Sequence, residues 1–274
     1  MRYKRAVPAD MDARVHKYWP QRYDLFSRFD EGVWMNTELW FSVTPESMAI
    51  FLSKFIKCCL PDAKNALDLF SGGGGNTIQF AKLFDKCVGI DINEENIECA
   101  AHNAEVYDVA NKCEFINLDW KVFSKDKKAL QEFKEQHKID FAFASPPWGG
   151  PGYKNLESFD LSQLQPLPLK KLLKSMFKIT ENVILFLPRN SDLEQLSQVT
   201  KKLLGKQAMA RVIHLKLDGR PKGICCFWGD AFMTDHMRDL ANVDLQSDAG
   251  PEQEDGNEDV DEENKDIDYD GLDY

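Results

Sequence analysis

The sequence predicts an α/β protein built on a mostly parallel sheet. Three observations carry that prediction: short apolar runs alternate with amphipathic stretches from about residue 64, a glycine-rich loop follows the first run, and the last two runs form a hairpin. NALDLF (65–70), KCVGID (86–91), CEFINL (113–118), IDFAFA (139–144) and NVILFL (182–187) read as strands. NTIQFAKLF, EENIECAAHNAEVY, KDKKALQEFKEQH and LKKLLKSMFKI place apolar residues at helical spacing between them. That alternation puts helices on both faces of the sheet. After a further helix at about 191–204, MARVIHLKL and GICCFWGDAFM make the terminal hairpin. Its link starts at Asp218-Gly219 and is expected to run longer than two residues, because Arg220 to Gly223 add to it.

Residues 1–62 read as a separate, mainly helical extension that packs on the core and closes over a ligand site. Tyr18, Trp19, Tyr23, Phe26, Phe29, Trp34, Trp40 and Phe41 are too many aromatics for a free linker. Thr44-Pro45-Glu46 predicts a helix start, with a capping hydroxyl and proline at the first helical position. The body follows over 63–233, and 234–274 reads as a disordered acidic tail.

Charge divides the same way. The chain of 274 residues has a net charge of −11. Over 235–274 there are 16 acidic residues against Arg238 and Lys265, which leaves 32 basic and 29 acidic residues in 1–234. The body is mildly basic, and Arg2, Lys4, Arg5, Arg14, Lys17 and Arg22 make the amino-terminal arm a candidate phosphate-facing surface. The tail is either a solubilising segment or one that docks basic protein tails or competes with nucleic acid for the basic body. No apolar run approaches the ~20 residues of a membrane span and no signal-peptide pattern is present, so an intracellular protein is expected. Cysteines 58, 59, 87, 99, 113, 225 and 226 form no C-x-x-C pair, and no metal site is expected.

The loop LDLFSGGGGNT (67–77) lets backbone approach a ligand at a helix N-terminus. It has no Gly-Lys-Ser/Thr, so it is not a triphosphate loop. Asp68 lies within the first strand, and Asp91 and Asp119 close the second and third. An acid after the second strand holds a ribose in doubly wound folds, while the bland reading makes each acid a helix cap. The set resembles the class I S-adenosylmethionine-dependent methyltransferases, whose Rossmann-like sheet is seven-stranded and ends in an antiparallel hairpin. By that resemblance Asp68, Gly72 and Gly74 cradle the methionine moiety, Asp91 holds the ribose and Asp119 faces the adenine. Asn93 is read as structural.

SPPWGGPGY (145–153) follows the fourth strand. Two prolines cannot donate to the ladder and hold Trp148 on a stiff mount at the sheet edge. The stretch resembles the Pro-Pro-aromatic signature of enzymes that methylate exocyclic or amide nitrogens. An aromatic amine is a poor nucleophile because its lone pair is delocalised, so acceptors at Ser145 and Pro146 that aim it supply most of the rate, without a strong base.

KYWPQRYDLFSRFDEG (17–32), WFSVTPE (40–46), GGNTIQFA (74–81), HNAEVY (102–107), SPPWGGPGY and FLPRN (186–190) together resemble the trimethylguanosine synthase family. That resemblance implies two successive methyl transfers to guanine N2 of the 7-methylguanosine cap on snRNA and snoRNA, in the nucleus and nucleolus. It assigns Ser145 and Pro146 to the amine, Trp148 to stacking on 7-methylguanine and Asn103 to the guanine. Lys17 and Arg189 would take the triphosphate, and Phe26, Ser42 and Thr44 would close over the cofactor. A cationic base suits tryptophan. Basic tails of small ribonucleoprotein proteins are a further candidate partner for the acidic tail. Two alternatives stay open: an exocyclic-amine methyltransferase of internal RNA or DNA bases, and a non-catalytic RNA-binding assembly factor.

Overall fold

A computed structural model describes residues 11–149, 152–153, 156–217, 219–234 and, for the backbone, 269–273. Arg2, Lys4, Arg5 and Asp218 lie outside the described residues, as does the tail over 235–268.

One sheet runs through the molecule. Its strands are β1 (Asn65–Leu69), β2 (Lys86–Asp91), β3 (Cys113–Asn117), β4 (Phe141–Ala144), β5 (Val183–Pro188), β6 (Arg211–Leu217), β7 (Arg220–Trp228) and β8 (Tyr269–Asp273). Their spatial order is β3-β2-β1-β4-β5-β7-β6-β8. β1 to β5 pair in parallel, and β5-β7, β7-β6 and β6-β8 pair antiparallel. The first seven strands are the expected parallel sheet with its terminal hairpin. The order reverses at β1 and β4, and this is the crevice where ligands bind in open α/β sheets.

Side-chain alternation splits the core in two. Phe141 and Phe143 of β4 join one apolar cluster with Phe80, Phe55 and Phe227, while Ala142 and Ala144 join the other with Leu172, Leu173 and Trp228. Helices α3 (Glu46–Cys59) and α4 (Gly75–Leu83) supply the first cluster, and α8 (Leu169–Met176) and α9 (Leu193–Leu204) the second. The remaining helices are α1 (Arg22–Leu25), α2 (Leu39–Ser42), α5 (Glu94–Val106), α6 (Trp120–Phe123) and α7 (Lys127–His137).

Three expectations need correction. The hairpin link is short, because Leu217 pairs with Arg220 and β7 already starts there. Thr44 does not cap α3: Pro45 occupies the N-cap and the Thr44 hydroxyl accepts from Asn76 Nδ2 at 3.1 Å. The tail contributes β8, whose five residues lie along the open edge of β6. Main-chain pairing with an unprotected edge requires no apolar side chains, so an acidic segment can provide it.

A buried carboxylate helps to fasten the amino-terminal segment to the body. Glu46 is 7% exposed. It accepts from the Ser27 amide, from Gln79 Nε2 at 2.9 Å and from the Tyr107 hydroxyl at 3.1 Å. Burial and the Glu46 charge together push the Tyr107 phenol pKa up. Glu46→Ala leaves these three donors unsatisfied, and we expect a loss of about 3 kcal/mol in a thermal or urea melt. A melt unchanged by the substitution would show that the segment is held elsewhere.

Candidate functional site

Two adjoining cavities of about 240 and 420 Å³ open at the carboxyl edge of the sheet. The smaller lies over the glycine loop and is lined by Ser71, Gly72, Gly73, Gly75, Asn76, Asp91, Asn93, Asn96, Asp119 and Trp120. The larger is lined by Tyr18, Gln21, Trp40, Phe41, Pro146, Trp148, Tyr153 and Lys222. Glu38, Ser42, Val43, Thr44, Ser145 and Pro147 face both.

The smaller cavity suits a nucleoside with an ammonium end. Gly72 has φ +53° and its N–H donates to Asp91 Oδ2 at 3.0 Å. Asp91 Oδ1 accepts from the Asn93 amide at 2.8 Å and from Asn96 Nδ2 at 3.3 Å. Asp91 is thereby fixed at the switch point, where an acid takes ribose hydroxyls. Asp119 lines the cavity and also caps α6, accepting from the Val122 amide at 3.2 Å, so its two readings are compatible. Asn93 caps α5 through the Glu95 amide, as expected, and also lines the cavity. Trp120 and the Gln165-Pro166 pair complete the wall and were not signalled by any motif.

Asp68 lies beneath the loop, 1% exposed, and lines neither cavity. Its Oδ2 accepts from Thr77 Oγ1 at 2.5 Å. Asp68 Oδ1, Ser71 Oγ and Asn76 Oδ1 are buried without a protein partner. Three orphaned oxygens around a glycine loop fit a ligand that brings N–H donors, as the methionine end of S-adenosylmethionine does.

Burial pushes the Asp68 pKa up to about 7. A carboxyl raised in the folded state binds more protons than its unfolded counterpart between pH 3.8 and about 7, so it costs stability as pH rises through that window. Asp68→Asn should therefore flatten the fall in ligand-free melting temperature from pH 5 to pH 8. Parallel pH profiles for variant and parent would contradict this.

Four sequence assignments change. Asn103 does not reach a guanine: it is 0% exposed, accepts from the Trp34 amide at 2.7 Å and donates to the carbonyls of Trp34 (3.1 Å) and Gly73 (3.0 Å). It clamps the amino-terminal segment to the loop. Phe26, 2% exposed, packs on Tyr107 behind Gly75 and does not cover the cofactor cavity. Gly74, with φ +85°, faces α5, where a Cβ would lie 3.2 Å from that of Ala100. Its need is close helix packing rather than ligand contact. Lys17 is exposed beside Tyr18 and lines neither cavity.

The larger cavity is built around Trp148. The indole N–H donates to the Phe186 carbonyl at 3.3 Å, and the Tyr153 and Phe186 rings meet it edge-on, each at 5.2 Å. Those contacts fix the ring plane. Ser145 and Pro146 sit beside it, with Ser145 at the boundary between the cavities. Arg189 is exposed and donates to the Pro221 carbonyl at 3.4 Å. Asp192, three residues on, caps α9.

Lys222 escaped the sequence reading. Leu215 pairs with Gly223 and Lys216 with Pro221, so Lys222 is the extra residue of a β-bulge. A bulge re-aims its side chain, here into the larger cavity. Among the described residues no cluster of three His, Cys, Asp or Glu could hold a metal, and no helix is long and apolar enough to cross a membrane.

Comparison with known proteins agrees with this geometry. Residues 63–231 match the family model described as RNA cap guanine-N2 methyltransferase. The chain is 46% identical over 223 residues to the trimethylguanosine synthase of Saccharomyces cerevisiae, covering 81% of this chain and 69% of that protein. It is 37% identical over 215 residues to the trimethylguanosine synthase of Schizosaccharomyces pombe, covering 78% of this chain and 85% of that one. A structure from Porphyromonas gingivalis described as a methyltransferase superposes with a TM-score of 0.56 at 14% identity, over 81% of this chain and 52% of its own length, a likeness of fold alone.

Proposed function

The chain belongs to the RNA cap guanine-N2 methyltransferase family and uses S-adenosylmethionine on capped RNA, and from that premise we propose how its residues act and on which RNAs. The substrates are the 7-methylguanosine caps of snRNA and snoRNA, and the product is the 2,2,7-trimethylguanosine cap formed by two successive transfers to N2. The nucleus, and within it the nucleolus, is where such RNAs would be met. The observation that carries this reading is the rigid Trp148 ring beside Ser145, at the boundary of a cavity suited to a nucleoside.

S-Adenosylmethionine, when bound, supplies a methyl group on a positively charged sulfur. Asp91 and Asp119 would hold its ribose and adenine, and Ser71 and Gly72, above the buried Asp68, would receive its methionine end. Trp148 stacks on the cationic 7-methylguanine, a pairing worth up to about 2 kcal/mol when desolvated. The Ser145 hydroxyl and the Pro146 carbonyl accept from the N2 amine, localise its lone pair and aim it across the boundary. Ser42 and Thr44 close the other side. Lys222, which lines the larger cavity, and the exposed Arg189 meet the triphosphate from the rim. The acidic tail remains a candidate dock for basic tails of small ribonucleoprotein proteins.

The RNA assignment is tested in cells whose own enzyme is deleted and that carry this chain. Antibody against trimethylguanosine should recover snRNA and snoRNA with the parent chain and neither with Trp148→Ala. Recovery of neither with the parent would show that other capped RNAs are its substrates.

A further inference from the structure

One short stretch forms most of the wall between the two cavities. Glu38, Ser42, Val43 and Thr44 line both, while Trp40 and Phe41 face the cap side alone. Among the described residues of that shared wall, Glu38 is the ionisable one. It stands at the exposed rim, immediately before α2. Burial by its surroundings and the charge of Asp91 both raise its pKa, against a hydrogen bond from Asn93. Two carboxylates thus converge at the ribose end of the cofactor cavity. A vicinal diol, which donates one proton to each, relieves that repulsion.

The same place is wired to Asp91 by side-chain amides. The Glu38 and Leu39 amides both donate to Asn36 Oδ1 at 3.0 Å. Asn36 Nδ2 donates to Asn96 Oδ1 at 2.7 Å, and Asn96 Nδ2 to Asp91 Oδ1 at 3.3 Å. At the far end of α2, Ser42 Oγ donates back to the Glu38 carbonyl at 2.9 Å. A change at Asp91 therefore has a continuous route to the cap wall.

We propose that Glu38 is a positioning residue coupling the two ligands: its carboxylate takes one ribose hydroxyl beside Asp91, and the α2 wall it anchors is then fixed for the cap. The proposal rests on the cap reading above. Coupling through binding is reciprocal, so cofactor and cap raise each other's affinity by the same factor.

The test is calorimetric titration of the full chain with 7-methylguanosine triphosphate, with and without saturating S-adenosylhomocysteine, and the converse titration. The parent should show equal factors of about 5 or more in the two directions. Glu38→Gln should weaken S-adenosylhomocysteine about tenfold, the loss of one hydrogen bond to a charged group. It should also abolish the coupling while leaving cap affinity in the cofactor-free protein unchanged. Independent binding of the two ligands by the parent, or full coupling in Glu38→Gln, would overturn the proposal. So would a loss of cap affinity in the cofactor-free variant, which would place Glu38 on the cap itself. A parent that binds S-adenosylhomocysteine and no cap analogue would instead overturn the cap reading, and the coupling with it.

Discussion

Trp148→Ala should lower kcat/KM on a 7-methylguanosine-capped dinucleotide about a hundredfold. Stacking of a base on an aromatic ring is worth about 1–3 kcal/mol, and a cationic base adds up to about 2 kcal/mol more. At about 1.4 kcal/mol per factor of ten, the sum of about 1–5 kcal/mol is roughly one to three and a half decades, with two near the middle. The loss should fall mainly on KM, because stacking holds the base both before and during transfer. It should also shrink the preference for the 7-methylated cap over the unmethylated one, while Trp148→Phe should keep part of both. The ring is clamped by Tyr153, Phe186 and one hydrogen bond, so its removal leaves the sheet intact. Unaltered cap preference in Trp148→Ala would place the methyl sensor elsewhere in the larger cavity.

Asp91→Ala should weaken S-adenosylhomocysteine binding about a hundredfold or more, since hydrogen bonds to a charged group contribute about 1.5–3 kcal/mol each. Two roles are lost together. The carboxylate takes the ribose, and it also accepts from the Gly72 and Asn93 amides that shape the loop. Asp91→Asn separates them, because the amide keeps an acceptor for one of these donors and loses the charge. Calorimetry on both variants checks the assignment. Cofactor affinity unchanged in Asp91→Asn would reduce Asp91 to a structural anchor of the loop.

Periodicity made the sheet legible. KCVGID was read over 86–91 and β2 occupies Lys86–Asp91, while the helix read at 76–84 is α4 at Gly75–Leu83. Both are local patterns of apolar spacing, and local patterns survive folding when the elements are buried as expected. β8 was not legible, because an edge strand can be held through its main chain and so leaves no apolar alternation in the sequence.

The candidate site divides along the same line. Motifs that sit at strand ends, such as Asp91, Asp119 and SPPW, arrive at the cavities because the sheet carries every strand end to one edge. Motifs on helices or in the amino-terminal segment have a direction that the sequence does not state. Asn103 and Phe26 point inward and became clamps, whereas Glu38 reaches the cavities without any motif. Lys222 depends on a bulge, and a one-residue slip between strands has no signature in one chain.

The most direct measurement is the mass of the product formed when the purified chain meets S-adenosylmethionine and two capped dinucleotides, one with 7-methylguanosine and one with unmethylated guanosine. One and then two methyl groups should be added to the first, at N2, with the second left untouched. Equal methylation of both would contradict the account, because it would leave the cation-reading role of Trp148 without a substrate to read.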